Sequence, residues 1–224
     1  MALLGRAALA MWWDMAPAMR SEFQQWHSQE HFPERLALPG FLRATRWASA
    51  DGGEGFFVMY EVADLGALES PEYLARLNAP TPWSTQLMPH HRNMVRCMST
   101  VVESHGAGVA RHALTIRSKE GRAEGDADLQ RWREAAGRWC DQPGVAGVHL
   151  LHTQKLTLDV TAEQRIRGLA DRTVDAILVA CAWESEALTE MQASLQSAWP
   201  EASFARYELA MSRHASEVGQ PGQR

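Results

Sequence analysis

Cysteine is scarce. Only Cys97, Cys140 and Cys181 occur in 224 residues, far apart and without CxxC spacing. That excludes a disulfide framework and a zinc knuckle, and it fits a reducing cytoplasm. No window approaches the roughly 20 apolar residues of a membrane span. Positive charge is in deficit, with 22 Lys and Arg against 27 Asp and Glu, a net charge of −5. No global basic field draws nucleic acid to such a chain. GxGxxG, P-loop and GxSxG motifs are all missing, and Gly106-Ala107-Gly108 is too short to cradle a phosphate. Nucleotide cofactors therefore have no support, and the short glycine run reads as a hinge between two halves. Residues 1–15 are apolar but hold Arg6 and Asp14, with no basic leader and no small-residue cleavage site. They read as a first strand, not a signal peptide.

What is present is a 46% hydrophobic chain, long enough for one large domain or two of about 100 residues. Nine tryptophans and ten methionines suit pockets for apolar or aromatic molecules, and serve equally as core filler. The densest chemistry lies in Trp26-His27-Ser28-Gln29-Glu30-His31-Phe32-Pro33-Glu34-Arg35, followed by Pro39-Gly40-Phe41. Met19, Phe23, Trp26 and Glu30 fall at helical spacing. Arg20, His27, His31 and Glu34 do so on a neighbouring face. Pro17 can open this helix, and Pro33 with Pro39-Gly40 is expected to end it.

Strands are expected over 41–48 and 56–62, then a helix over 64–77 broken near Ser70-Pro71. A loop over 78–93 and a strand over 94–103 follow. The order β-α-β-β-α-β is that of a ferredoxin-like unit. It restarts after residue 106. Strands are expected over 113–117, 145–152, 176–183 and 202–211, with helices over 127–140 and 185–199. Residues 154–175 read as a long loop and 214–224 as a polar, disordered tail. Pro143-Gly144 repeats Pro39-Gly40. The fold class is therefore α+β, two tandem ferredoxin-like repeats packed sheet to sheet. Repeat 1 spans 1–106 and bears the site, repeat 2 spans 107–214, and 215–224 is the tail. Each unit covers one face of its sheet with helices, so the bare faces must meet. A cavity enclosed between the sheets is the expected seat of function.

Glu30, His31, Pro33 and Pro39-Gly40 follow a pattern of an acidic residue and His, then Pro, shortly before Pro-Gly. In this the chain resembles the dimeric α/β barrel superfamily. That group includes the ethyl-tert-butyl-ether-degradation-type proteins, the antibiotic-biosynthesis monooxygenases and the muconolactone isomerases. Ser70-Pro71-Glu72-Tyr73-Leu74 and Pro80-Thr81-Pro82-Trp83 resemble a signature of bacterial members. The likeness spans nearly the whole chain at fold level and is specific over 22–96. It implies a barrel holding small, often aromatic or lactone, molecules. It does not fix one reaction. The second half departs from the pattern, since Ala135 stands where His31 stands in the first.

His31 is the candidate general acid or base, because imidazole moves protons near neutral pH. Glu30 or Glu34 would orient it. The alternative is a helix-end histidine capping carbonyls. His27 and His31 also complete H-x-x-E-H, but Pro33 and the lack of a third ligand argue against zinc, and no metal is expected. Trp26, Tyr60, Tyr73, Trp83 and His91 would shape a pocket for a small apolar or aromatic molecule. Arg43 or Arg96 would hold an anionic group, although Arg43 could instead pair with Glu61. The leading expectation is a cytoplasmic, cofactor-independent isomerase, cyclase, lyase or monooxygenase. A haem-binding barrel and a non-catalytic ligand binder are the alternatives. No nucleic-acid or membrane partner is expected, and such chains can still form homodimers.

Overall fold

A computed structural model describes residues 3–123, 125–168 and 171–219. Alternation along each strand sorts its side chains onto two faces. On β1 (Ala7–Met15), Ala8, Ala10 and Trp12 join one buried cluster, while Ala7, Leu9, Trp13 and Met15 join another. The other strands are β2 (Phe41–Ser49), β3 (Gly55–Val62), β4 (His91–Gly106), β5 (His112–Arg117), β6 (Val145–Thr153), β7 (Ala176–Ala182) and β8 (Ser203–His214). Around the closed barrel they run β4-β1-β3-β2-β8-β5-β7-β6, with β6 returning to β4. All neighbours are antiparallel. Each run of four has the 4-1-3-2 order of a ferredoxin-like unit. The fold is α+β, a dimeric α/β barrel built within one chain. No described helix is long and apolar enough to cross a membrane.

The two Pro-Gly turns do the same work. Gly40 and Gly144 have φ of 83° and 86°. Gly40 accepts the Ala63 N–H at 2.8 Å, and Gly144 accepts that of Trp183 at 3.0 Å. A Cβ at either would lie under 3 Å from an alanine methyl, Ala67 or Ala187. Only glycine meets both demands. The offset between the halves grows from 104 (Gly144 against Gly40) to 120 (Trp183 against Ala63), and the added residues fall in segment 154–175.

Four expectations need correction. The space between the sheets is filled, not hollow. Trp12 and Trp47 each stack on Phe57, at 4.8 and 5.0 Å, with Tyr207 against the same ring. These four large aromatics pack the middle of that space, and an open pocket lined by Trp12, Arg117 and Tyr207 lies at one end of the barrel. Segment 154–175 is not only loop. Thr161 and Gln164 form a reciprocal capping box that starts α6 (Ala162–Ile166). The segment crosses to the first half, where the Ala162 N–H bonds Asn78 Oδ1 and Arg172 exchanges backbone bonds with Met94 and Arg96. Residues 215–218 are not a free tail, because Ala215 and Val218 pack on the first-half core. Residues 220–224 lie outside the described residues. The 78–93 stretch likewise holds α4 (Pro82–Leu87), capped by Thr81.

Candidate functional site

The first helix is continuous from α1 (Pro17–Trp26) through a π-helical turn (His27–His31) into α2 (Phe32–Leu36). The Phe32 N–H reaches back five residues to the His27 carbonyl. Such wide turns are frequent at functional sites. Pro33 does not end the helix as expected. It directly follows the π-helical turn, whose wide i to i+5 bond already departs from the regular ladder where the proline lacks an N–H.

This helix lies on the outer face of β1, β3 and β4, and α3 (Pro71–Asn78) and α6 complete the walls. They enclose a chamber of about 40 Å³. Its lining includes Trp13, Trp26, Tyr60 and Tyr73, the histidines His27, His31 and His91, and the charged Arg35, Arg96, Glu163 and Arg167. The His31 ring packs on Trp26 at 4.4 Å and faces His27 at 5.3 Å. His91 packs on Trp13 at 5.1 Å.

Hydrogen bonding fixes two of the three imidazoles. The Arg46 guanidinium can only donate, and it lies 3.3 Å from His27 Nδ1. Neutral His27 therefore carries its proton on Nε2. His91 Nδ1 lies 3.2 Å from the carbonyls of Leu87 and Met88, which only accept. His91 so carries its proton on Nδ1 and leaves Nε2 bare. Burial pushes all three imidazoles down. His27 and His31 fall well below the usual value, helped by Arg46 and Arg35 respectively, and His91 falls to about 4. All three are neutral at pH 7. Burial raises the Glu34 carboxyl, against the pull of Arg35 and Arg76.

Four buried polar atoms in this lining have no hydrogen bond: Trp13 Nε1, His31 Nδ1, Arg35 Nη1 and the Tyr60 hydroxyl. Buried polar groups are normally satisfied, and each orphan carries a desolvation cost. His31 Nδ1 and Arg35 Nη1 lie 3.8 and 3.9 Å from Glu34, which leaves Trp13 Nε1 and the Tyr60 hydroxyl as the groups a polar ligand would satisfy.

The sequence candidates divide. His31, Trp26, Tyr60, Tyr73, His91 and Arg96 surround the chamber. Glu34 stands behind it, 3.8 Å from His31 Nδ1 and 3.1 Å from Arg76. Glu30 does not face His31. It accepts from Trp26 Nε1 at 3.1 Å and from the Thr81 hydroxyl, so it anchors the tryptophan and the α4 loop. Trp83 lies outside the lining and donates to Glu22. Arg43 points into the barrel with Trp47 and is bound to buried Glu61 at 2.6 Å, which removes it as an anion anchor. Sequence reasoning missed Trp13, Arg35, Glu163 and Arg167. Arg35 on α2 is paired with Glu163 on α6, so the site is not confined to the first half. The second half has no counterpart, since buried Ala135 holds the position of His31.

Among the described residues no group of three or more His, Cys, Asp or Glu is arranged to hold a metal ion. His91, tied through Nδ1 to carbonyls, has the donor arrangement of an axial ligand. A haem macrocycle nonetheless does not fit a chamber of about 40 Å³.

No protein-family model and no curated protein matches the chain. Solved structures do. An anthrone oxidase-like protein superposes with a TM-score of 0.61 at 10% identity, covering 98% of each chain. A protein described as a monooxygenase from Fusobacterium nucleatum gives 0.60 at 7% identity, over 95% of this chain and 96% of that one. A chlorite dismutase variant from Candidatus Nitrospira defluvii gives 0.52 at 13% identity, over 96% and 94%. At these identities the likeness is one of fold.

Proposed function

We propose that the chamber is the active site of a cofactor-independent oxygenase or oxidase acting on a small aromatic compound. The observation that carries this reading is the set of neutral imidazoles and unpartnered donors around a chamber of about 40 Å³. On the same measure one water needs ~10–15 Å³, so the chamber suits dioxygen or the edge of one ring. The fold neighbours described as anthrone oxidase-like and as monooxygenases are consistent with it.

In this reading His31 is the base. It takes a proton from an acidic carbon next to a phenol or ketone. Glu34, 3.8 Å from Nδ1, is a positioning residue that would accept the imidazolium proton's hydrogen bond. Charge then moves onto the substrate oxygen. The Tyr60 hydroxyl is a donor free to receive it, and the Arg35 guanidinium adds its charge. Bare Nε2 of His91 would accept a substrate hydroxyl, and Nε2–H of His27 would donate. The carbanion gives its electron pair to dioxygen and forms a peroxide. Loss of a second proton with O–O cleavage yields a carbonyl and water. The net change is CH₂ plus O₂ to C=O plus H₂O.

The test uses anthrone as probe. Oxygen uptake above the spontaneous rate, one O₂ per anthraquinone, is expected from the purified protein. His31→Ala should lower it by about 10²–10⁴-fold with the fold intact. Full activity in that variant overturns the role of His31. A Soret band and stoichiometric uptake on adding haemin would overturn the cofactor-free reading.

A further inference from the structure

A groove of about 300 Å³ adjoins the chamber and shares Leu77, Arg96 and Arg167 with it. One wall is β4. The other is the second-half segment from Thr153 through Leu158 to α6. Its charged lining is Arg96, Lys155 and Arg167, with no carboxylate. Asp171 already neutralises Arg167 at 2.7 Å. Arg96 donates to the Tyr73 hydroxyl at 3.0 Å, and neither Arg96 nor Lys155 has an ion pair among the described residues. Leu77, Met98, Leu156 and Leu158 supply the apolar surface. The groove has the volume of a ligand site, and the chamber does not.

We infer that the substrate is an acidic aromatic whose fused-ring body lies in this groove. Its carboxylate or equivalent anion is held by Arg96 and Lys155, and only its reacting edge enters the chamber. The inference rests on the chamber being the reaction site. Its own content is the anion and the groove. Arginine at the junction binds a carboxylate through two N–H groups, which fixes orientation as well as charge. The Tyr73 bond holds that guanidinium in place. An anchored tail would present one ring edge to His31 and leave the remaining chamber space for dioxygen.

The experiment is calorimetric titration of 2-naphthoate and 2-naphthamide, which share a ring system and differ in charge. At low salt 2-naphthoate should bind at least about tenfold tighter, and added salt should narrow the gap. Arg96→Gln and Lys155→Gln should each weaken 2-naphthoate at least about threefold and leave 2-naphthamide unchanged. Equal affinity for the two probes overturns the inference and leaves the chamber chemistry standing. A 2-naphthoate preference that survives both variants overturns it too, because the anion is then held elsewhere. Binding of neither probe overturns it as well. A preserved preference in a protein that consumes no oxygen with anthrone counts against the proposed reaction alone.

Discussion

Breaking the Arg35–Glu163 pair gives the sharpest stability prediction. Both residues are buried, at 3% and 4% exposure, and they lie 128 positions apart. Burial works against the Arg35 charge, but Glu163, with Tyr73, Glu34 and Tyr60, outweighs it and raises its pKa. Glu163→Gln keeps the shape and removes the counter-charge. What remains near Arg35 is Glu34 at 3.9 Å, a weaker partner already shared with Arg76 at 3.1 Å. Stranding one member of a buried pair costs about 3–5 kcal/mol, and partial rescue by Glu34 favours the lower end. At ordinary urea sensitivities that loss moves the unfolding midpoint down by about 1 M or more. Tryptophan fluorescence in a urea titration reads it. Replacing both residues, Arg35→Met with Glu163→Leu, should recover most of the loss, because no buried charge is then stranded. A loss under about 1 kcal/mol in Glu163→Gln would refute the reasoning. So would a double variant as unstable as the single one.

Burial lowers His91 and His149 to about 4, against about 6.5 in an unfolded chain. The unfolded chain therefore binds more protons across that window, so stability is full above about pH 6.5 and falls as pH drops towards 4. Each histidine accounts for about 3 kcal/mol over the window, and urea unfolding at pH 7 and pH 5 should show a shallower dependence in His149→Gln. An unchanged dependence would count against the assignment. Gly40→Ala and Gly144→Ala should each cost about 1–3 kcal/mol, from left-handed backbone plus the approach to Ala67 or Ala187. Gly121→Ala, at φ 76° with open space around it, should cost less, and equal Tm losses at all three would refute the steric part.

Strands, order and repeat were legible in the sequence because they rest on local signals. These are the apolar runs, the two Pro-Gly turns and the restart after residue 106. The side of the sheet that carries the site was not legible. On β1 and β3 both faces are apolar, with Trp12 and Phe57 on one and Trp13, Phe56 and Tyr60 on the other. Alternation says that they separate, but not which set faces inward. Packing decides it. Trp12, Trp47, Phe57 and Tyr207 pack the middle of the interior, and the histidine chamber forms beneath the helices. Arg35 and Glu163 could not be matched from sequence, because charge pairs at that separation leave no spacing to read. Thr161-x-x-Gln164 was the one available sign that segment 154–175 is ordered.

The asymmetry between the halves then has a physical sense. The second half lacks a counterpart of His31, and its added segment supplies Glu163 and Arg167 to the first-half chamber and Lys155 to the groove beside it. A site enclosed this way gains a low-dielectric wall and a buried ion pair that a single unit could not provide. It also ties binding to folding of both halves. A substitution that loosens α6, far along the chain from the histidines, should therefore disturb the site as directly as one in the helix that bears them.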